Sequence, residues 1–391
     1  MITLDELRPM HPTLIEWRRD FHRHPELGLQ EYRSAKRIAE RLRAWGYEVR
    51  EGLAATGLIG QLRNGDGPIV MVRADMDALP IQEESEHDYA STVPGLMHAC
   101  GHDAHMAIGL GVAQWMAEHR DAWHGTLLML FQPGEEGMNG AQKMVEAGAL
   151  ENPRPDYFLA LHVWNDLEVG TVSAAIGPVM AAADAWSAQL IGKGGHAAAP
   201  HETVDPIVIA AHTITALQSI VSRNVDPMET AVLTVGAVEA GTAFNIIPNE
   251  AKLKGTVRTF DEAVRETVLK RLREIVEGTA WMMGGVATLT FYDIAPAVVN
   301  DEKVTALVQE TVRELLGEEH LRTDVRTMGS EDASFFMREV PGCYFFVGSS
   351  PVGGEHVPHH HPRFDIDEEA LLIGAGVMIN ALLKLLADEA A

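Results

Sequence analysis

The stretch GTLLMLFQPGEEG, residues 125–137, decides the fold class of this chain. It starts as an apolar run with the length of a buried strand and ends in a proline, two glycines and two adjacent glutamates. Two other apolar runs, PIVMVRADMDA at 68–78 and FLALHVWND at 158–166, also end in charged or polar residues. Open α/β sheets bind ligands outside the carboxyl ends of their strands. The three runs therefore predict buried strands of an α/β sheet that carry polar groups where such sheets bind ligands.

Segments with helical periodicity alternate with these strands, at 34–46 and 107–119 among others. From residue 184 the order changes to strand, helix, two strands, helix and strand, which is the βαββαβ order of a ferredoxin-like unit. After residue 295 the α/β alternation returns. The sequence predicts a larger α/β domain in two segments, 1–183 and 295–391, and an inserted satellite domain at 184–294.

Composition and charge restrict the class of protein. With 46% hydrophobic and 22% charged residues, the 391-residue chain has the composition of a soluble globular protein. Acidic residues outnumber basic ones by 56 to 31, and the resulting charge of −25 repels nucleic acid and anionic membranes. The first residues lack the apolar core of a signal peptide. We expect a cytoplasmic protein with neither nucleic acid nor membrane as a partner.

The segment CGHD places Cys100, one of two cysteines in the chain, two residues before His102. Thiolate, imidazole and carboxylate groups bind divalent transition metals, and Gly101 permits a tight bend between the two side chains. Taken alone, Cys100 is equally well explained as a small buried apolar residue. The adjacent glutamates and His162, which lie at predicted strand ends, favour a metal site.

The adjacent glutamates, Glu135 and Glu136, also admit two interpretations. In isolation they are most simply a solvated loop. However, Pro133, Gly134 and Gly137 bracket the pair, so successive side chains can point in different directions. One carboxylate could then bind metal while its neighbour moves protons, which is the division that metal-assisted hydrolysis requires.

Nine motifs, in this order, resemble those of the M20D-type metallopeptidase and amidohydrolase family, which includes hippurate hydrolases, N-acyl-amino-acid deacylases and auxin-conjugate hydrolases. The motifs are DFHRHPELGLQE, VRADMDALPI, MHACGHDAHMA, FQPGEEG, LHVW, GKGGHAAAPH, FNIIPNEAKLKGTVRTF, MGSEDASFF and HHPRFD. They extend over nearly the whole chain, which makes the resemblance specific.

The resemblance implies a central-sheet two-metal hydrolase domain with a ferredoxin-like satellite that commonly mediates dimerisation, so a homodimer or homotetramer is expected. It implies two divalent ions per subunit, of zinc, manganese, nickel or cobalt. Cys100 is the implied bridging ligand, with His102 and His162 on one ion and Glu136 and His360 on the other. The family's closing motif has a ligand histidine, one variable residue and a proline, which selects His360 over the histidines beside it.

The same resemblance implies roles in catalysis and substrate binding. Glu135 is the implied general base and His196 the donor to the tetrahedral oxyanion. Asn245 and Arg258, expected on the two strands that follow the first satellite helix, are implied to hold the α-carboxylate of the substrate, and Gly329 to line the same pocket through its backbone. Without the family pattern, His196 is a surface histidine, Arg258 a solvated strand charge and Asn245 a turn former.

Three aspartates are predicted to support the metal ligands. Related two-metal peptidases have a histidine ligand in the motif that contains Asp75 and Asp77, whereas this chain has none there. His102 is expected to supply that imidazole. Asp75, Asp77 and Asp103 are then expected to orient ligands, as carboxylates bonded to the second imidazole nitrogen do.

The predicted function is hydrolysis of the amide bond of N-acyl amino acids, such as hippurate or N-acetyl amino acids, by metal-activated water with Glu135 as general base. A metal-dependent dipeptidase or aminopeptidase of the same fold is the alternative. A cysteine hydrolase with Cys100 as nucleophile leaves the paired glutamates and His162 unexplained. A non-enzymatic metal-binding or peptide-binding module is a further rival.

Overall fold

The computed structural model describes residues 1–354 and 356–387. The chain folds into two compact units. The larger unit contains Met1–Val179, Val299–Arg326 and the described residues from Asp332 onward, and the satellite unit contains Met180–Val298 and Thr327–Glu331. The segment 327–331 therefore belongs to the satellite unit, although the sequence-based boundaries assign it to the larger domain.

Strands and helices alternate along most of the described chain. The strands are β1 Glu48–Leu53, β2 Gly57–Asn64, β3 Ile69–Asp75, β4 Gly125–Gln132, β5 Tyr157–Glu168, β6 Val172–Ser173, β7 Gly177–Met180, β8 Ala182–Ile191, β9 Gly195–His196, β10 Ala231–Ala240, β11 Ile246–Ile247, β12 Glu250–Thr259, β13 Val286–Ala295, β14 Val298–Asn300, β15 Leu321–Arg322 and β16 Gly342–Ser350. The helices are α1 Leu4–Leu7, α2 His11–Arg23, α3 Tyr32–Ala44, α4 His102–Glu118, α5 Gly140–Glu146, α6 Pro206–Asn224, α7 Glu262–Met282, α8 Glu302–Leu316, α9 Ser334–Met337 and α10 Glu369–Leu385.

The larger unit is built around an eight-stranded mixed sheet with the order β1-β2-β4-β3-β5-β16-β6-β15. Its centre, β4-β3-β5-β16, is parallel, while β1, β2 and β6 run antiparallel to their neighbours toward the centre. Every residue of β4 and of β16 is buried, as expected for strands covered on both faces. The predicted α/β fold class is confirmed.

The register of the central strands brings Asp75, the segment after β4 and His162 toward the carboxyl end of the parallel strands. Asp75, the last residue of β3, pairs with Gln132, the last residue of β4, so both following segments leave the sheet together. On its other side β3 pairs with β5 only as far as Ala160. His162 therefore lies just beyond this pairing, although β5 continues to Glu168 and does not end near the histidine as the sequence predicted.

The satellite unit has a four-stranded antiparallel sheet with the order β10-β12-β8-β13. Helices α6 and α7 pack with this sheet around a core that includes Trp186, Leu217, Leu253 and Leu272. With β8 and β12 in the centre, the βαββαβ chain order gives the ferredoxin-like arrangement that was predicted. A smaller antiparallel pair joins β9 to β11.

None of the helices among the described residues is both long enough and apolar enough to cross a bilayer.

Candidate metal centre

The turn before α4 carries Cys100 and His102. Gly101 between them has φ +88°, and a Cβ atom there would lie 2.4 Å from Cγ2 of Val163, so only glycine fits this close approach. The turn brings Cys100 Sγ to 3.4 Å from Nε2 of His162 on β5. The ligand atoms of Cys100, His102 and His162 all lie within 4.8 Å of one another, as one metal ion would require.

A second group of potential ligands also contains Cys100. Its sulfur and ligand atoms of Glu136 and His360 lie within 4.8 Å of one another, and Nε2 of His360 is 3.0 Å from Oε1 of Glu136. The backbone N–H of His360 donates to the carbonyl of Ala99 at 2.8 Å, which fixes this loop beside Cys100. The cysteine is therefore common to both groups, the position that a bridging ligand must take.

His102 has one nitrogen engaged and one available. Its Nδ1 donates to the backbone carbonyl of Asp77 at 2.8 Å, while Nε2 is buried and has no hydrogen-bond partner within residues 1–354 and 356–387. An imidazole held by Nδ1–H and free at Nε2 is the form that binds metal. Burial opposes protonation, but the charges of Asp75 and Cys100 raise the pKa of His102 well above its usual value. These anionic surroundings favour a cation at Nε2.

The two other histidines differ in charge state before an ion is bound. Burial and neighbouring histidines hold the pKa of His162 well below its usual value, so this imidazole is neutral. Hydrogen bonds to Cys100 and Glu136 raise the pKa of His360 to about 10, so this ring is protonated in the metal-free protein and would release its proton on binding an ion. A thiol, three imidazoles and a carboxylate form a donor set that fits zinc and its neighbours in the first transition row.

The turn that carries Glu135 and Glu136, which we call the glutamate turn, follows β4 and is held by hydrogen bonds from its backbone. The N–H groups of Glu135 and Glu136 each donate to a carboxylate oxygen of Asp77, both at 3.0 Å. Ligand atoms of His102, Glu135 and Glu136 lie within 4.8 Å of one another. Both carboxylates are thus at the site, and Asp77 supports it through the turn as well as through His102.

The sequence matches a known protein family. Residues 71–384 match Peptidase family M20/M25/M40. The chain belongs to that family. Members hydrolyse amide bonds, so the M20 chain is a metal-dependent hydrolase of amide bonds with candidate residues for a dinuclear site.

Relatives of the M20 chain align over almost its full length. Thermostable carboxypeptidase 2 of Saccharolobus solfataricus is 38% identical over 390 residues, which cover 97% of this chain and 97% of that protein. N-acetylcysteine deacetylase of Bacillus subtilis is 38% identical over 370 residues, which cover 94% and 95%. The crystal structure of the B. subtilis YxeP protein, described as a dinuclear metal-binding peptidase of the M20 family, matches with a TM-score of 0.85 at 34% identity and covers 97% of this chain and 99% of that chain.

A buried pair, His105 and Asp75, supports the M20 site next to the ligand candidate His162. Nδ1 of His105 donates to Asp75 at 2.6 Å, and Nε2 of His105 accepts the backbone N–H of Val163 at 3.0 Å, beside His162. Burial raises the pKa of Asp75, but Arg73 at 2.7 Å and the nearby histidines outweigh it and hold that pKa well below its usual value. His105 was missed from the sequence, although its position one helical turn after His102 places both on the same face of α4.

Asp103 has different partners from those expected. Its Oδ2 accepts hydrogen bonds from Nε of Arg18 and Nδ1 of His22, both at 2.8 Å, and neither residue is a predicted metal ligand. These contacts do not support the prediction that Asp103 orients a ligand imidazole. They join α2 to the first turn of α4, next to His102. Arg18 and His22 were not predicted as site residues.

The satellite unit carries the other predicted residues. His196 is exposed on β9, where it pairs with Ile246, and its Nδ1 accepts the N–H of Ala198 at 3.0 Å. Asn245 immediately precedes β11 in a turn, whereas the sequence placed it on a strand, and its carbonyl accepts the N–H of Ala197 at 3.2 Å. The β9–β11 pair therefore brings His196 and Asn245 together.

Arg258 and Gly329 lie elsewhere in the satellite unit. Arg258 is half-buried on β12, and its guanidinium donates to Oγ1 of Thr256 at 2.5 Å and to the carbonyl of Val257 at 3.3 Å. Those two contacts leave most of its five N–H donors for another acceptor. The carbonyl of Gly329 accepts the N–H of Ala181 at 2.9 Å.

Proposed function

We propose that the chain hydrolyses N-acyl amino acids, cleaving the amide bond to give a carboxylic acid and a free amino acid. The observation that carries this proposal is the sharing of Cys100 between two ligand groups, with the Glu135 carboxylate beside them. The deacetylase and carboxypeptidase relatives support the substrate class, because both names describe cleavage of an amide bond formed by the nitrogen of an amino acid.

Five residues would hold two divalent ions. Cys100 would bridge them, His102 and His162 would bind one, and Glu136 and His360 would bind the other. When bound, the ions supply Lewis acidity and lower the pKa of water from about 15.7 toward 7. The single thiolate suits zinc and also accepts manganese, cobalt or nickel.

The remaining steps belong to the protein's own side chains. Glu135 takes a proton from the water while the water oxygen attacks the amide carbonyl carbon. The C–N bond then breaks, and Glu135 passes the proton to the departing amine nitrogen. His196 donates to the oxyanion, an interaction that typically contributes about 10² to 10³ in rate. Asp75 and Asp77 hold the surrounding histidines and the glutamate turn in place.

Substrate recognition falls to the satellite unit in this proposal. Arg258 pairs with the α-carboxylate through its planar guanidinium, Asn245 donates to the same group, and the backbone at Gly329 lines the pocket. The unit also offers a surface for the proposed homodimer or homotetramer. Its edge strand β10 exposes Val232 and Val238, and an unpaired strand edge is a template for pairing with another chain.

An amine-release assay tests the substrate class. Hippurate, N-acetyl amino acids and N-acetyl-diaminopimelate are supplied to chelator-treated protein with zinc, manganese, cobalt or nickel added back. We expect release from at least one N-acyl amino acid, lost on chelation and restored by metal. Cleavage of dipeptides alone would favour the peptidase alternative. Turnover that survives chelation but not thiol alkylation would replace the metal mechanism by a cysteine nucleophile.

A further inference from the structure

The motif DFHRHPELGLQE at 20–31 contains none of the proposed ligands, yet its last residue contacts the glutamate turn. Glu31 is fully buried. Its Oε1 accepts the backbone N–H of Leu29 at 3.0 Å and that of Gly134 at 2.9 Å, and its Oε2 accepts the hydroxyl of Thr56. One carboxylate therefore joins three segments, at Leu29, Thr56 and Gly134. Gly134 is the residue before Glu135.

Glu31 has no function in its own helix that explains this burial. It occupies the N-cap position of α3, but its side chain makes no capping bond. The cap is supplied by Glu26, whose two oxygens accept the N–H groups of Arg33 and Ser34, both at 2.8 Å. Because burying a carboxylate is costly unless it is well bonded, the position of Glu31 calls for a reason outside α3.

The glutamate turn supplies that reason. Three successive N–H groups, those of Gly134, Glu135 and Glu136, donate to two buried carboxylates, Glu31 for the first and Asp77 for the other two. Gly134 has φ +59°. The backbone of so short a turn decides where its side chains point, so its anchors decide where the two glutamates meet the metal ligands.

Gly28 adds a second contact between the motif and this turn. A Cβ atom at Gly28 would lie 3.0 Å from Cα of Gly134 and 3.1 Å from Cγ of Met138. The 20–31 motif therefore packs against the turn at Gly28 and bonds to it at Glu31. Both contacts fall on Gly134, the residue immediately before Glu135.

We propose that Glu31 is a positioning residue for the glutamate turn. By holding the Gly134 N–H, it keeps the Glu135 carboxylate beside the reacting water and the Glu136 carboxylate beside Cys100 and His360. Its effect on turnover rests on the proposed function. Its effects on the backbone of the turn and on metal binding through Glu136 do not, so they can be measured separately.

Three substitutions separate positioning from general stability. Glu31→Ala leaves the Leu29 and Gly134 N–H groups without their acceptor. Glu31→Gln retains a carbonyl oxygen for both N–H groups and offers its NH₂ to the Thr56 hydroxyl, which can accept as well as donate. Glu26→Ala is the matched control, because it also removes a carboxylate that accepts two backbone N–H groups, but those of α3.

Hydrogen exchange in metal-free full-length protein, zinc binding by equilibrium dialysis and steady-state kinetics are then compared. For Glu31→Ala we expect exchange in a peptide covering 131–138 to rise about tenfold, because opening of the turn no longer breaks a buried bond. We also expect weaker binding of one of the two zinc ions. At saturating zinc, kcat should be lower by about 10- to 100-fold with KM within about twofold, because misplaced catalytic groups affect mainly the chemical step. Glu31→Gln should restore all three properties.

Glu26→Ala should lower the melting temperature while leaving exchange at 131–138 and kcat unchanged. Unaltered exchange and zinc binding in Glu31→Ala would overturn the proposal, as would equal losses in Glu26→Ala. If Glu31→Ala does not fold, Glu31→Asp, which keeps the charge but withdraws it by one methylene, is expected to raise exchange in the same peptide. If the wild type releases no amine, the proposed function fails, and the exchange and zinc measurements still decide the role of Glu31.

Discussion

His22 is a single residue whose surroundings predict a measurable property of the protein. Its ring is buried, with Nδ1 2.8 Å from Asp103 and Nε2 3.3 Å from Glu83. Burial lowers its pKa, but the two carboxylates outweigh burial and raise the pKa to about 9. The imidazolium donates through both nitrogens and links α2 to the segment that carries His102.

The raised pKa predicts how stability depends on pH. The pKa of His22 rises from 6.5 in the unfolded chain to about 9 in the folded protein, so its contribution is complete below pH 6.5 and is lost as pH rises through 9. At 1.36 kcal/mol per pKa unit this contribution is roughly 3 kcal/mol. We expect the difference in unfolding free energy between wild type and His22→Gln to shrink by that amount from pH 6.5 to 9.5, measured by urea unfolding of metal-free protein. The exposed His201→Gln is the control, and parallel curves for wild type and His22→Gln would contradict the assignment.

Candidate site residues could be predicted from the sequence where the residues that form the pattern are close together in the chain. Cys100 and His102 are two positions apart, and Glu135 and Glu136 are adjacent, so these two local patterns, taken together, favoured a metal site. Arg18, His22 and Glu31 were not recognised, because their partners at Asp103 and Gly134 are about 80 to 100 positions away. A buried side chain whose partner is distant in sequence leaves no local pattern to read.

At the scale of elements, the three central strands explain why the site is where it is. Hydrophobic runs predicted β3, β4 and β5, since strands buried on both faces read as continuous apolar segments. The runs did not predict which strands are neighbours or where β5 ends, because register depends on pairing and not on composition. Asn245 was expected on a strand but lies in the turn before β11, because a two-residue strand has no periodicity that would locate its first residue.

Strand β12 gives a prediction at this scale, because it carries Arg258 in the satellite unit. Replacing Arg258 by lysine keeps the charge but removes the planar pair of donors that matches a carboxylate. We expect kcat/KM for an N-acyl amino acid to fall by about 10- to 100-fold, and that for its carboxamide to change by less than about threefold, because the carboxamide cannot accept the bidentate pair. Lys254→Met, an exposed change on the same strand, is the control. An unchanged preference for the free acid would remove Arg258 from substrate recognition.

At the scale of the whole molecule, the chain divides into two units whose sequence patterns differ. The change from α/β alternation to βαββαβ order was visible in the sequence, and the satellite sheet follows from it. The return of residues 327–331 to the satellite unit was not visible, because five residues without periodicity carry no fold signal of their own. The proposed metal ligands and the base lie in the larger unit, and His196, Asn245, Arg258 and Gly329 lie in the satellite unit.

The division of work between the two adjacent glutamates is the central claim, and metal analysis of two purified variants tests it most directly. Glu135→Gln and Glu136→Gln are dialysed against the same zinc buffer and assayed for bound metal and amine release. We predict that Glu135→Gln keeps two ions and loses about 10²- to 10⁴-fold in kcat, the usual contribution of a general base. Glu136→Gln should keep a single ion, because a neutral amide is a poor zinc ligand. Equal metal content in the two variants would contradict the account.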